Sequence, residues 1–366
     1  MIVSFLLSHN PNPRFSKRMN EACNLSKVNL VYWDRKESKS IPFTIDHRVN
    51  VEEISVNAPI RNNIKRILPY LKFLPKALNT LKKQNPDLIH CGKIDMLFIA
   101  VIYKKIINKK TSIIYEVGDL PRFINTKTGI NKILTKAYML VEKILCSEIK
   151  KLVLTSEHHW HSYYNKITNS SKYIIIPNIP DDRYFEYFKE KNTSDFTIGF
   201  FGALRYPHQL KMLVEATIEA GINVIIAGTG GELEFVKKLD RNFEHVEYLG
   251  PYDYSKDISN LYSKVDMVYS VYDLNRENVK TALPNKLFEA ITCELPIIVA
   301  ENTELGNFVK KHHIGFTTPY DDTEQLKQNL LQLNNHYLTS YKNNLKEIKK
   351  VYNYSKVKQS ISELYQ

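Results

Sequence analysis

Cysteine is scarce in this chain and scattered. The four residues Cys23, Cys91, Cys146 and Cys293 form no CxxC pair and no cluster. That excludes a disulfide framework and a thiolate metal site, and it fits reduced thiols in a cytosolic protein. Long apolar runs are missing too. Ile2 to Leu7 is too short for a signal segment and follows no basic stretch. Met96 to Tyr103 ends at Lys104-Lys105 and falls far short of the roughly 20 residues that span a bilayer. Contact with a membrane is therefore expected to be peripheral. No metal set is legible: His158, His159 and His161 flank Trp160 with only Glu157 beside them, the pattern of a polar helix surface. No internal repeat and no nucleic-acid module appears, so nucleic acid is not an expected partner. Acidic residues are absent from Ile54 to Pro86, where Arg61, Lys65, Arg66, Lys72, Lys76, Lys82 and Lys83 accompany Ile67, Leu71, Phe73 and Leu74. That mixture describes a basic amphipathic helix suited to anionic lipid, or equally a core-packing helix with a solvated basic face.

What is present is a chain of 366 residues, enough for two domains, with 43% hydrophobic and 25% charged residues, as in soluble proteins. Its charge is lopsided. Residues 1–176 carry 29 Lys and Arg against 13 Asp and Glu, while the remainder carries 22 against 26. The halves thus face different partners, the basic one an anionic membrane or a phosphorylated substrate. Short apolar runs alternate with helical patterns along both halves, which predicts parallel sheets with right-handed crossovers. In the first half the periodicity predicts strands at Ile2–Leu7, Asn29–Trp33, Asp87–His90 and Ser112–Val117. It also predicts a long helix from Asn62 to Lys83, with Ile64, Ile67, Leu68, Leu71, Leu74, Leu78 and Leu81 at helical spacing. Pro69 and Pro75 predict a kink there, or two shorter pieces. A second series starts at the strand Thr197–Phe201, beyond Pro177-Asn178-Ile179-Pro180, where two prolines interrupt regular structure.

Three segments of the second half suit a ligand. Gly199-Phe200-Phe201-Gly202-Ala203-Leu204-Arg205 ends a strand in a glycine turn bearing an arginine, at the sheet edge where open α/β sheets bind ligands. Arg205 there suits a diphosphate, although the same pattern serves a plain turn. Gly228-Thr229-Gly230-Gly231 lies between a strand and a helix, where Gly228 and Gly230 permit close backbone approach; alone it reads as a structural turn. The richest segment is Pro284-Asn285-Lys286-Leu287-Phe288-Glu289-Ala290. Asn285 and Lys286 fall in the first helical turn, where a cation conflicts with the helix dipole unless an anion sits there. Glu289, a turn later, has the reach to accept hydrogen bonds from a ribose.

Together these residues resemble family 4 glycosyltransferases of the GT-B fold. Gly202-Ala203-Leu204, Ala227 to Glu232, Leu249-Gly250-Pro251, Asn285 to Ala290 and Leu295-Pro296-Ile297-Ile298 carry the likeness in the second half. Pro86 to His90, Asp119-Leu120-Pro121, Thr155-Ser156-Glu157 and Pro177-Asn178 carry it in the first. The likeness covers nearly the whole chain and is strongest to bacterial members that build surface polysaccharides. It implies a retaining, metal-independent transfer from a nucleotide-diphosphate sugar, with Glu289 as the ribose ligand and no cofactor. The chain also departs from the pattern. Thr281 stands where many members carry a second glutamate, and Ala203 and His208 stand where an arginine and a lysine grip the phosphates. Gly118 stands where a histidine often precedes the aspartate, and Ser8 to Arg14 replaces the glycine-rich first loop.

The expected fold is α/β of the GT-B type, two Rossmann-like domains whose parallel sheets face across a cleft. Residues 1–176 would bind the acceptor and 177–345 the nucleotide sugar, with a helix in 346–366 crossing back to the first domain. Arg205 and Lys286 are the expected catalytic cations. Gly202, Gly228, Gly230, Asn285, Glu289 and Thr281 are the expected donor-binding positions, and His9, Arg14 and Asp119 the acceptor-side candidates. The expected partners are a nucleotide sugar, a glycan or lipid-linked acceptor and the anionic inner face of a bacterial membrane. A non-catalytic partner subunit and a sugar-nucleotide epimerase are the alternatives.

Overall fold

The computed structural model of the chain describes residues 1–36, 45–59, 62, 64–120 and 130–366. Arg61 of the basic segment and Pro121 of the Asp119-Leu120-Pro121 motif lie outside the described residues. The chain divides into two units, Met1–Pro177 with Val357–Gln366, and Asn178–Lys356.

In the first unit, β1 (Ile2–Leu7), β2 (Lys27–Asp34), β3 (Asn50–Ser55), β4 (Leu88–Gly92), β5 (Ser112–Val117), β6 (Lys151–Leu154) and β7 (Tyr173–Ile175) form one sheet in the order β3-β2-β1-β4-β5-β6-β7. Every pairing is parallel; Phe5, for example, sits between Leu30 and His90. The central strands are apolar on both faces because helices cover both faces of such a sheet. β1 and β4 are neighbours although two strands separate them in sequence. Their adjoining carboxyl ends form the topological switch point at which open α/β sheets bind ligands.

The helix Ile67–Gln84 is one element, not two shorter pieces. Pro69 falls in its first turn, where a backbone N–H has no intrahelical acceptor to lose, and the helix runs on through Pro75. The buried stripe also differs from the expected one. Phe73, Ala77 and Leu81 face the core, with Phe73 stacked on Trp33 at 4.9 Å. Ile64, Ile67, Leu68 and Leu71 are exposed. Two apolar stripes are written into the same helix, and packing selects the one that carries the large ring.

A buried ionic cluster lies behind β5. Glu116 pairs with Arg14 (2.8 Å) and Arg18 (3.2 Å), and His90 Nε2 lies 3.1 Å from it. The Tyr365 hydroxyl, at the chain's last turn, meets His90 Nδ1 at 2.7 Å. Burial alone would raise the Glu116 pKa, but Arg18, His90 and Arg14 hold it well below the usual range.

The second unit repeats the architecture with β8 (Thr197–Phe201), β9 (Asn223–Ala227), β10 (Val246–Tyr248), β11 (Met267–Ser270), β12 (Ile297–Ala300) and β13 (Gly315–Thr318), in the parallel order β10-β9-β8-β11-β12-β13. Its switch point lies between β8 and β11. Among the described residues, no helix is long and apolar enough to cross a membrane.

Candidate functional site

At the switch point of the second sheet the turn after β8 brings Ala203, Arg205 and Tyr206 beside Ser270 and Tyr272 of β11 and its exit. Pro284 and Lys286 at the start of the helix Asn285–Cys293 complete the wall, and together they line a cavity of about 210 Å³. Two expected cations, Arg205 and Lys286, are therefore on one wall. The Lys286 ammonium sits 4.4 Å from the centre of the Phe200 ring and donates to the Tyr272 hydroxyl at 3.1 Å. Aromatic faces attract a cation without neutralising it. Among the described residues no carboxylate lies within ion-pair distance of Lys286 or of the exposed Arg205. The cavity is thus lined by positive charge that a phosphate would balance.

The glycines act one layer behind. Gly202 N donates to Ala227 O (2.9 Å) and Leu204 N to Thr229 O (3.1 Å), knitting the turns after β8 and β9 together. A methyl group at Gly228 would fall 1.8 Å from Gly202 O, and one at Gly230 2.3 Å from Leu204 O. Gly202 and Gly228 also have φ of 135° and 141°, which only glycine adopts freely. A side chain at Gly202 would approach the Lys286 ammonium. These glycines hold the cation-bearing turn in place; of the three, none lines the cavity.

Glu289, the position the resemblance assigns to the ribose, is held by two tyrosines. It is 4% exposed, accepts hydrogen bonds from Tyr254 (2.8 Å) and Tyr262 (2.7 Å), and does not line the cavity. Asn285 accepts from Asn178 at 2.7 Å, and Thr281 ends the short helix Glu277–Thr281, whose Asn278 and Val279 reach the cavity. The sequence reading missed Tyr206 and Tyr272. These rings lie 5.0 Å apart, and Arg276 caps Tyr206 at 5.0 Å. An aromatic residue just past a strand at the switch point was the available signal.

The first unit has its own cavity of about 610 Å³ at the switch point between β1 and β4. All three acceptor-side candidates, His9, Arg14 and Asp119, line it, together with Ser8, Arg66, Lys93 and Asp95. Burial, and then Lys93, pull the His9 pKa down to about 4, so this imidazole is neutral at pH 7. Its Nδ1 therefore donates to Asn10 O, at 2.7 Å. His159, expected on a polar surface, is buried in the helix Glu157–Ser162; burial pulls its pKa down to about 4 as well. Among the described residues no group of three or more His, Cys, Asp or Glu is placed to hold a metal ion.

Known proteins resemble this chain in sequence and in fold. Residues 195–336 match the model of glycosyl transferases group 1. The succinoglycan biosynthesis protein ExoL of Rhizobium meliloti is 24% identical over an alignment of 268 residues that covers 69% of this chain and 65% of that protein. The chain thus matches just under two thirds of this relative's length. HepE of Anabaena, solved with UDP, superposes over all of this chain and 99% of its own, with a TM-score of 0.71 at 16% identity. Sucrose-phosphate synthase of Thermosynechococcus elongatus gives 0.72 at 13% identity, covering 100% and 98% of the two chains. WaaG, a glycosyltransferase involved in lipopolysaccharide biosynthesis, gives 0.68 at 14%, covering 100% and 99%. The chain has the GT-B fold, carries a group 1 glycosyl transferase match through its second unit, and resembles the family 4 glycosyltransferases.

Proposed function

We propose that the chain transfers a glycosyl group from a nucleoside-diphosphate sugar to a glycan or lipid-linked acceptor during surface-polysaccharide synthesis. The observation that carries this reading is the pairing of Arg205 and Lys286 on one cavity wall at the switch point, with no carboxylate to neutralise either among the described residues. Transfer breaks the bond between the sugar's anomeric carbon and the diphosphate oxygen, and the electron pair leaves with the diphosphate. The acceptor oxygen bonds to the same carbon, and its proton passes to the departing diphosphate. Charge therefore grows on the departing diphosphate, and fixed cations already aimed at it lower the barrier. Two cations there can supply charge that a metal would otherwise bring, which supports metal-independent transfer; retention of configuration follows only from the family resemblance. HepE, with its bound UDP, supports a nucleotide in this role. ExoL and WaaG support a place in surface-polysaccharide synthesis.

The acceptor belongs, on this reading, to the first unit, and the protein works at the cytoplasmic face of a membrane. The support is a surface of three neighbouring helices. Ile64, in the turn before Ile67–Gln84, and Leu68 and Leu71 within that helix are 80%, 72% and 57% exposed. Ile133, Leu134, Leu140 and Ile144 of Ile130–Cys146 are exposed likewise, and both helices pack on Ile94–Ile102. Lys65, Lys72, Lys76, Lys132, Lys136 and Lys143 stand among them. Apolar side chains interleaved with lysines match an anionic lipid surface.

The test is a panel of labelled sugar nucleotides offered with membrane extract from a polysaccharide-producing bacterium. Label is expected to move to acceptor with stoichiometric release of nucleoside diphosphate. Binding without transfer to any acceptor, or conversion of the sugar nucleotide to an epimer, would contradict the proposal.

A further inference from the structure

The cavity of the first unit gathers three cations, Arg14, Arg66 and Lys93, on its lining. Lys93, directly after β4, has φ 70° and ψ 156°, a conformation that glycine adopts freely and other residues hold only under strain. Its side chain lines the cavity, and among the described residues its ammonium has no hydrogen bond and no ion pair. The position would be easier for glycine, so the side chain has a use that offsets the strain. Ser8, at the exit of β1, is 2% exposed, and its hydroxyl has no hydrogen-bond partner in the structure. It lines the same cavity.

Arg14 adds a second cation with a defined place. Glu116 holds its Nε at 2.8 Å but shares its charge with Arg18. The rest of the Arg14 guanidinium lies over Gly118, so close that a methyl group at 118 would fall 1.8 Å from Nη1. Gly118 is the position where the resembled family often has a histidine. In this chain a fixed guanidinium fills the room that such a side chain would take. Arg66 completes the basic lining, opposed by Asp95, Glu116 and Asp119.

We infer that the cavity of the first unit binds a sugar carrying an anionic group, a carboxylate or a phosphate, held by Arg14 and Lys93 with the Ser8 hydroxyl. This rests on the glycosyltransferase reading and deepens it by naming the class of sugar. A guanidinium offers two parallel donors to an oxyanion, and the lysine adds a point charge. Burial lowers the Lys93 pKa, Asp95 and Asp119 raise it, and Arg35 and Arg66 lower it further.

The experiment is calorimetric titration of the full chain with glucuronate, glucose 6-phosphate, glucose and inorganic phosphate, with UDP as an independent probe of the second unit. Saturable binding of glucuronate or of glucose 6-phosphate is expected, at least tenfold tighter than glucose and than inorganic phosphate; the better of the two identifies the anion. Arg14→Gln and Lys93→Gln should each weaken it at least tenfold and leave UDP binding unchanged. Lys93→Gly should lose the anionic sugar as well, while unfolding at the same temperature as the wild type or a higher one. Glucose or inorganic phosphate binding as tightly as the anionic sugars overturns the inference. So does wild-type binding in Lys93→Gly, or no binding of either anionic sugar by a protein that still binds UDP. Failure of UDP binding instead counts against the glycosyltransferase reading.

Discussion

Glu289 shows how much a single residue's surroundings decide its work. Both its oxygens accept tyrosine hydroxyls, from Tyr254 and Tyr262, and it is buried. Glu289→Ala would leave those two hydroxyls without a partner, at a cost of about 1–3 kcal/mol for each group left buried and unpaired. We therefore expect Glu289→Ala to lower the urea midpoint markedly, and the double variant Tyr254→Phe/Tyr262→Phe to leave the carboxylate stranded with a similar loss. An unchanged midpoint in Glu289→Ala would mean that the glutamate is free to serve a ligand alone. The sequence made the position of this residue legible, but not its partners. Tyr254 and Tyr262 lie 35 and 27 residues away, and only the packing of their helix brings them to it. Arg205 and Lys286 were legible because each lies beside a strong local signal, a strand-ending glycine turn and a proline-started helix. Lys93 was not, since a strained backbone angle leaves no mark in composition.

At the scale of elements, the helix Ile67–Gln84 is basic and amphipathic as its sequence predicts, but its apolar positions divide: Leu74, Leu78 and Leu81 pack on the core while Ile67, Leu68 and Leu71 are exposed. Periodicity finds a stripe but does not say whether protein or lipid covers it. Leu68 and Leu71 are exposed, so replacing both with glutamate removes no core contact. Leu68→Glu/Leu71→Glu is expected to abolish sedimentation with anionic liposomes, with the unfolding temperature and nucleotide binding retained. Wild-type sedimentation that persists at high salt, or that survives these changes, would remove the lipid-surface proposal. The strand elements were the most legible, since β1, β4, β5 and β8 are short, predominantly apolar runs that suit a parallel sheet covered on both faces.

For the molecule as a whole, pH dependence follows from histidines buried in neutral form. His9 and His159 are pulled down to about 4 by burial, and burial lowers His90 as well. A group with a depressed folded pKa binds its proton more readily when unfolded, so its contribution is present above the unfolded value of about 6.5 and is lost as pH falls towards about 4. The unfolding temperature should therefore drop steadily from pH 6.5 to 4. His159→Gln should flatten that slope, and an equal slope in the variant would contradict the assignment. Below about pH 4.5 the Glu116 cluster adds a second loss, because a carboxylate held well below its usual pKa stabilises only while ionised. The two-sheet architecture was legible from alternating strands and helices. The strand orders, and hence the two switch points where the cavities sit, came only from the three-dimensional pairing.

The central claim is that Arg205 and Lys286 grip the diphosphate of a sugar nucleotide in the second unit. Calorimetric titration of wild type, Arg205→Ala and Lys286→Ala with UDP and with a panel of sugar nucleotides tests it most directly. Saturable binding of at least one nucleotide by the wild type is expected, weakened about 10- to 100-fold by either substitution, in line with about 1.5–3 kcal/mol for a hydrogen bond to a charged group. Wild-type affinity in both variants, or no binding of any sugar nucleotide by the folded wild type, would contradict it.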